Sequence, residues 1–111
     1  MDNIKTDAYY LQKMLKDVKF ILANTDNLTV QELEINEILC DSILFRLIQI
    51  SENSSRLSST FKSNHNEISW SAIKGMRNRI VHEYGDIKLE IVYQTVKEDI
   101  PDLCKQLEKL L

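Results

Sequence analysis

Two glycines and one proline in 111 residues leave this chain very little with which to turn tightly. A β-sandwich or barrel of this length needs a turn every 8–12 residues, usually built on Gly, Pro, Asn or Asp. The scarcity therefore points to helices joined by short polar breaks. The length suits one domain, residues 1–111, with a single core. The hydrophobic fraction of 43% is too high for a disordered tail. The longest unbroken apolar run is Phe20 to Ala23, too short to span a membrane or serve as a signal-peptide core, so a cytoplasmic protein with no membrane association is expected. Cys40 and Cys104 stand apart without ligand-spaced neighbours, which argues against disulfides and zinc; they read as small core hydrophobes, and neither a metal nor a cofactor is called for.

Ile4, Ala8, Leu11, Leu15, Val18 and Leu22 recur at steps of three and four, the stripe of a helix over about 4–22. After a polar break, Thr29-Val-Gln-Glu32 reads as a capping box opening a second, long helix from about 30 to 60. Between Leu33 and Ile50 that helix is apolar on nearly all sides, so it sits mid-bundle or is covered by a partner. Ser58 to Asn66 reads as a loop, with Asn64 to Glu67 signalling the start of a third helix over about 67–84. Gly85 suits its left-handed end, Asp86 can cap a fourth helix, and Pro101 predicts a break or kink near Asp99 before a last helix over about 101–111. The expected fold is an all-α, up-and-down bundle of four to five helices.

Residues 77–84 stand out. On a wheel of 100° per residue, Ile68, Ala72, Ile73, Met76 and Ile80 form the buried stripe of the third helix, and Asn78 and His82 lie on the polar face. Arg77 and Tyr84 share a border of the stripe. From Ile68 to His82 the charges are Lys74, Arg77 and Arg79, a local cationic patch in a chain of net charge -3. Arginine presents a planar fork that fits a phosphate, and histidine titrates near neutrality; together they suffice for metal-free RNA cleavage. Arg77 and His82 are about 140° apart on a continuous helix. They meet if the helix loosens before Gly85, or if two copies face each other across a two-fold axis. Gly75 would allow such close approach. The blander account is that Arg79 and His82 merely complement the dipole of the last helical turn.

Arg77-Asn78-x3-His82-x-Tyr84, within Trp70-Ser-Ala-Ile-Lys-Gly-Met-Arg-Asn-Arg-Ile-Val-His-Glu-Tyr and followed by Ile-Val-Tyr-x2-Val and Asp-Ile-Pro-Asp-Leu, resembles the signature of the HEPN superfamily, specifically its HepT-like toxin ribonucleases. The resemblance runs from about residue 7 to the end. It implies an all-α dimer whose composite site, built from the Arg and His of two protomers, cleaves RNA in a type VII-like toxin–antitoxin system. Arg77 and His82 would be the catalytic pair, Asn78 a supporting residue, and Lys74 and Arg79 phosphate contacts. The implied partner is an MntA-like nucleotidyltransferase antitoxin that adds AMP to Tyr84. The family's small residue before a glutamate becomes Ser51-Glu52, so Glu52 would line the cleft. A non-catalytic module that binds or presents substrate to a nucleotidyltransferase through the same surface is the alternative.

Among the other polar and aromatic residues, Arg46 reads as a paired or snorkelling side chain, or as a second cation reaching the cleft. His65 reads as solvent-exposed, and Tyr9, Tyr10, Trp70 and Tyr93 as packing residues. Glu32, Glu34, Glu37 and Asp41 form an acidic face that is solvated or docks a basic partner.

Overall fold

The computed structural model describes residues 5–111. It is all-α: α1 (Asp7–Thr25), α2 (Val30–Ile35), α3 (Glu37–Ser55), α4 (Ser59–Asn64), α5 (Trp70–Glu83), α6 (Leu89–Gln94) and α7 (Ile100–Leu110), with no strand among the described residues. Ile4, at which the expected first stripe begins, lies outside them. α3 is the central element, packed on both α1 and α5, and α7 packs on α1. Leu11, Met14, Val18 and Ile21 meet Ile43, Leu44, Leu47 and Ile50 in the core, every one at most 4% exposed. The α1 stripe is therefore centred on Met14 and Ile21, with Leu15 and Leu22 at its edge and Ala8 exposed.

Several boundaries differ from the sequence expectation, each for a local reason. The long second helix is two. Thr29 and Glu32 form the expected capping box, but Asn36 leaves the helical region (φ -109°, ψ 82°) and its side chain accepts the Leu39 N–H, starting α3 afresh. α3 ends at Ser55, and the expected loop after it contains α4, capped by the Ser58 hydroxyl, which accepts the Phe61 N–H. Asp7 binds the Ser58 N–H and hydroxyl, both at 2.8 Å, tying the start of α1 to that turn. The start signal at Asn64 to Glu67 is not used; α5 begins at Trp70, with no side-chain cap. Gly85 has no positive φ and ends no helix in the left-handed region; among the described residues the left-handed one is Asn27, in the turn after α1. Asp86 caps nothing, since α6 follows Lys88.

Of the break or kink expected near Asp99, the break is absent, but the α-helical pattern is interrupted there. Residues Thr95–Asp99 form a π-helical turn that joins α6 to α7 without a break. The Ile100 N–H reaches the Thr95 carbonyl in the π pattern, and Pro101, which has no N–H to donate, follows directly. α7 then lays Leu103, Cys104 and Leu107 into the core. Cys104 is buried as expected, whereas Cys40 is only half-buried. α5 makes its main helix contacts with α3 alone, leaving a cleft of about 310 Å³ between α5 and α7 that is lined by Ile73, Met76, Ile100 and Leu103 and rimmed by Glu67, Asp99 and Asp102.

Candidate active site

α5 presents the motif because one side of it is pinned to α3. Ile80 is fully buried and Ile68, just before the helix, nearly so; Ile73 and Met76 are half-buried, and Ala72 of the expected stripe is exposed. With Ile80 fixed inward, Arg77 and Tyr84 fall at the α3 border, while His82 points to solvent.

Both border residues find carboxylates on α3. Arg77 Nε donates to Glu52 Oε1 at 2.9 Å, and Arg77 Nη1 donates to Asn78 Oδ1 at 3.2 Å. Glu52 and Asn78 therefore hold the guanidinium from two directions. Ser51 beside Glu52 is buried, as a close helix contact requires. The Tyr84 hydroxyl donates to Asp41 Oδ1 at 3.1 Å, although the side chain remains 48% exposed. Burial first, then the Asp41 hydrogen bond and charge, push the Tyr84 phenol above its ordinary value. It therefore keeps its proton at neutral pH. Sequence reasoning treated Asp41 as part of a solvated acidic face; nothing in the sequence alone reports that α5 returns beside it.

The cationic patch is not free of carboxylates in space. Arg77 pairs with Glu52, and Arg79 Nε lies 3.5 Å from Glu83 Oε2, one turn on. Lys74 is exposed and joins no ion pair among the described residues. Arg46 is paired with Asp17 (Nη1 to Oδ1, 2.7 Å) and stacked over Phe20, its guanidinium carbon 3.9 Å from the ring centroid. The pairing reading of Arg46 holds, and its charge is spent on α1. His65 is only half-exposed, its ring 4.5 Å from that of Phe61. Of the aromatic packing residues, Trp70 and Tyr93 are half-buried and anchor their helices: Trp70 Nε1 donates to the Lys62 and His65 carbonyls, and the Tyr93 hydroxyl to Leu28 O. Among the described residues no group of three or more His, Cys, Asp or Glu is set to hold a metal ion, and no helix is long and apolar enough to cross a membrane.

α5 stays helical through Glu83, with Tyr84 still in αR, so no loosening brings His82 round to Arg77 within one chain. Ile35 and Ile38 are 84% and 83% exposed, and Phe45, Val81 and Tyr84 are each about half-exposed.

The ribonuclease HepT-like family model matches residues 14–110, nearly the whole chain. The chain belongs to the HepT-like ribonuclease family. Among its relatives, a protein of Caldanaerobacter subterraneus subsp. tengcongensis whose name ascribes it an RNase role is 27% identical over 97% of this chain and 96% of its own length. A Thermococcus cleftensis protein named for ribonuclease HepT is 32% identical over 91% of this chain and 92% of its own. A Methanocaldococcus jannaschii protein, named for both a gamma-glutamylcyclotransferase and an RNase, is 26% identical over 92% of this chain but only 46% of its own length. No solved structure matches the chain.

Proposed function

We propose that this HepT-like chain is a metal-independent endoribonuclease, the toxin of a toxin–antitoxin pair, whose site is completed by a second copy. The observation that carries the reading is the intact Arg77-Asn78-x3-His82-x-Tyr84 motif on a continuous helix, with Arg77 held by Glu52 and Asn78 while His82 stands bare. His82 takes the proton of a ribose 2′-hydroxyl, and the oxygen attacks the adjacent phosphorus. The 5′-oxygen leaves with a proton from the second protomer's histidine, and Arg77 stabilises the charge that builds on the phosphoryl oxygens. A phosphate reaching both residues within one chain would have to span about 140° of helix. Two copies related by a two-fold axis remove that difficulty, and the exposed Ile35, Ile38 and Val81 supply apolar area for their contact. Lys74 and Arg79 extend the phosphate surface.

Tyr84 is the acceptor for AMP from an MntA-like nucleotidyltransferase. It is exposed, its proton already directed at Asp41, and added phosphates there would occupy the place an RNA phosphate needs. A second reading has one observation in its favour. Arg77 and Arg79 are both engaged by carboxylates, as they would be in a module that binds a nucleotidyltransferase and cuts nothing.

Cleavage of a fluorogenic oligoribonucleotide in EDTA, with sedimentation of the same sample, separates the two. The ribonuclease reading expects a dimer whose activity falls at least 100-fold in both Arg77→Ala and His82→Ala. No RNA product from unmodified protein at any concentration would leave the binding-module reading.

A further inference from the structure

On the opposite flank of α3 from Arg77, a recess of about 370 Å³ opens between α1 and α3, lined by Tyr9, Lys13, Lys16, Asp17, Phe45 and Arg46 with Gln49. Its composition is unlike the rest of an acidic surface. Asp17 is the one carboxylate that lines it, and Arg46 already binds that carboxylate. Lys13 and Lys16 are exposed and join no ion pair among the described residues. Tyr9 is 37% exposed and Phe45 57% exposed, so both rings face the opening. The ammonium groups of Lys5, just before α1, and of Lys13, one turn on, lie 4.9 and 5.6 Å from the Tyr9 centroid and hold its phenol below the ordinary value. Cation–π contact accounts for Lys5 and Lys13 beside Tyr9, but not for the open recess, the exposed Phe45 ring and the second unpaired lysine beside it. A nucleotide needs that combination: a flat apolar face for the base and mobile cations for the phosphates.

The position also fits. Phe45 lies one turn from Asp41, the partner of Tyr84, and two turns from Glu52, the partner of Arg77, so the recess and the motif share the exposed crest of α3. We propose that this recess holds a nucleotide of single-stranded RNA away from the scissile bond, its base stacked on Tyr9 and its phosphates met by Lys13 and Lys16. The inference rests on the ribonuclease reading for the identity of the strand, but the recess binds whether or not the chain cuts.

The test uses the full-length His82→Ala protein and a short labelled oligouridylate, with affinity measured by anisotropy over a series of salt concentrations. Tyr9→Ala should weaken binding about fivefold or more, and Tyr9→Phe, which keeps the ring, should not. Lys13→Gln with Lys16→Gln should lower the slope of log K against log salt by about 1.4, the release expected for two contacts to a single strand. Lys105→Gln, on exposed α7, should change neither. All these side chains are at the surface, and thermal melts confirm that the variants fold. If wild-type protein cuts RNA but affinity and salt slope are indifferent to Tyr9, Lys13 and Lys16, the recess is overturned and the ribonuclease reading stands. If wild-type protein cuts nothing while binding still depends on Tyr9, the ribonuclease reading falls and the recess stands. An inert variant that does not bind the oligonucleotide overturns the recess outright.

Discussion

Glu52 offers the sharpest test of how the motif is held. Its carboxylate and the Arg77 guanidinium are each a little over one-third exposed (38% and 37%) and meet at 2.9 Å. A fully buried hydrogen bond between charged groups contributes about 1.5–3 kcal/mol, but water reaches this one, so about 0.5–1 kcal/mol is the appropriate share. For 111 residues the unfolding entropy is about 0.23 kcal/mol per kelvin, and Glu52→Ala should lower Tm by about 2–4 °C. The kinetic effect should be larger than the structural one. Without Glu52, Arg77 keeps only the Asn78 contact and regains much of a rotamer freedom of about 2 kcal/mol, which must be lost again at the transition state. A loss near 1.4 kcal/mol is tenfold in rate. We therefore expect Glu52→Ala to lower kcat about tenfold with KM changed less than about threefold, and Glu52→Gln, whose carbonyl still accepts from Nε, to fall between. Steady-state cleavage of a quenched oligoribonucleotide, paired with thermal melts, measures both. A Glu52→Ala protein with wild-type kcat and a lower KM would refute the positioning argument. It would show that the carboxylate competes with RNA phosphate for Arg77.

Three other outcomes follow from contacts already described. Asp17 is 7% exposed and bound to Arg46, so Asp17→Ala strands a mostly buried guanidinium and should cost about 2 kcal/mol, near 8 °C in Tm. Thr29→Ala removes the capping bond to the Glu32 N–H and should cost about 1 kcal/mol. The Thr29 backbone N–H holds Glu32 below the usual carboxylate range. That stabilisation is complete above the unfolded pKa and lost as pH falls through the lower folded one, so Glu32→Gln should flatten the acid limb of Tm against pH. Asp41→Asn keeps an acceptor for the Tyr84 hydroxyl but removes the charge that helps raise the phenol, which should then titrate earlier in ultraviolet absorbance than in wild type. AMP transfer to Tyr84 should slow in the same variant, as read by intact mass.

The helical class and most of the inward face of α5 were legible because they depend on spacing along one helix, as Ile68 and Ile80 show, whereas the all-round apolar run of α3 did not say which side faces inward. The family was legible because the Arg77-Asn78-x3-His82-x-Tyr84 motif is local in sequence. What lay beyond reach was pairing across the chain. Glu52 is 25 residues from Arg77 and Asp41 is 43 from Tyr84, and no local rule brings them together. The apparent absence of carboxylates around Lys74, Arg77 and Arg79 was a property of the sequence window, since Glu52 and Glu83 fill it in space. The division at Asn36 did carry a signal, an Asn cap followed by Glu in the first turn, but the apolar run on either side outweighed it. At Gly85 the residue type suggested a left-handed cap that the chain does not use.

The π turn before Pro101 has a consequence for how this chain tolerates changes in length. A π turn is an α-helix carrying one surplus residue, with flanking segments that keep their rotational phase. Deleting Glu98, which is exposed, should therefore let Thr95–Asp99 relax into an ordinary helical turn and leave Leu103 and Leu107 facing α1. Removing one residue from the middle of α1 would instead turn everything beyond it by about 100° and carry half the core face to solvent. The stretch that joins α6 to α7 thus serves as an expansion joint, a place where the chain can lose a residue without losing its register.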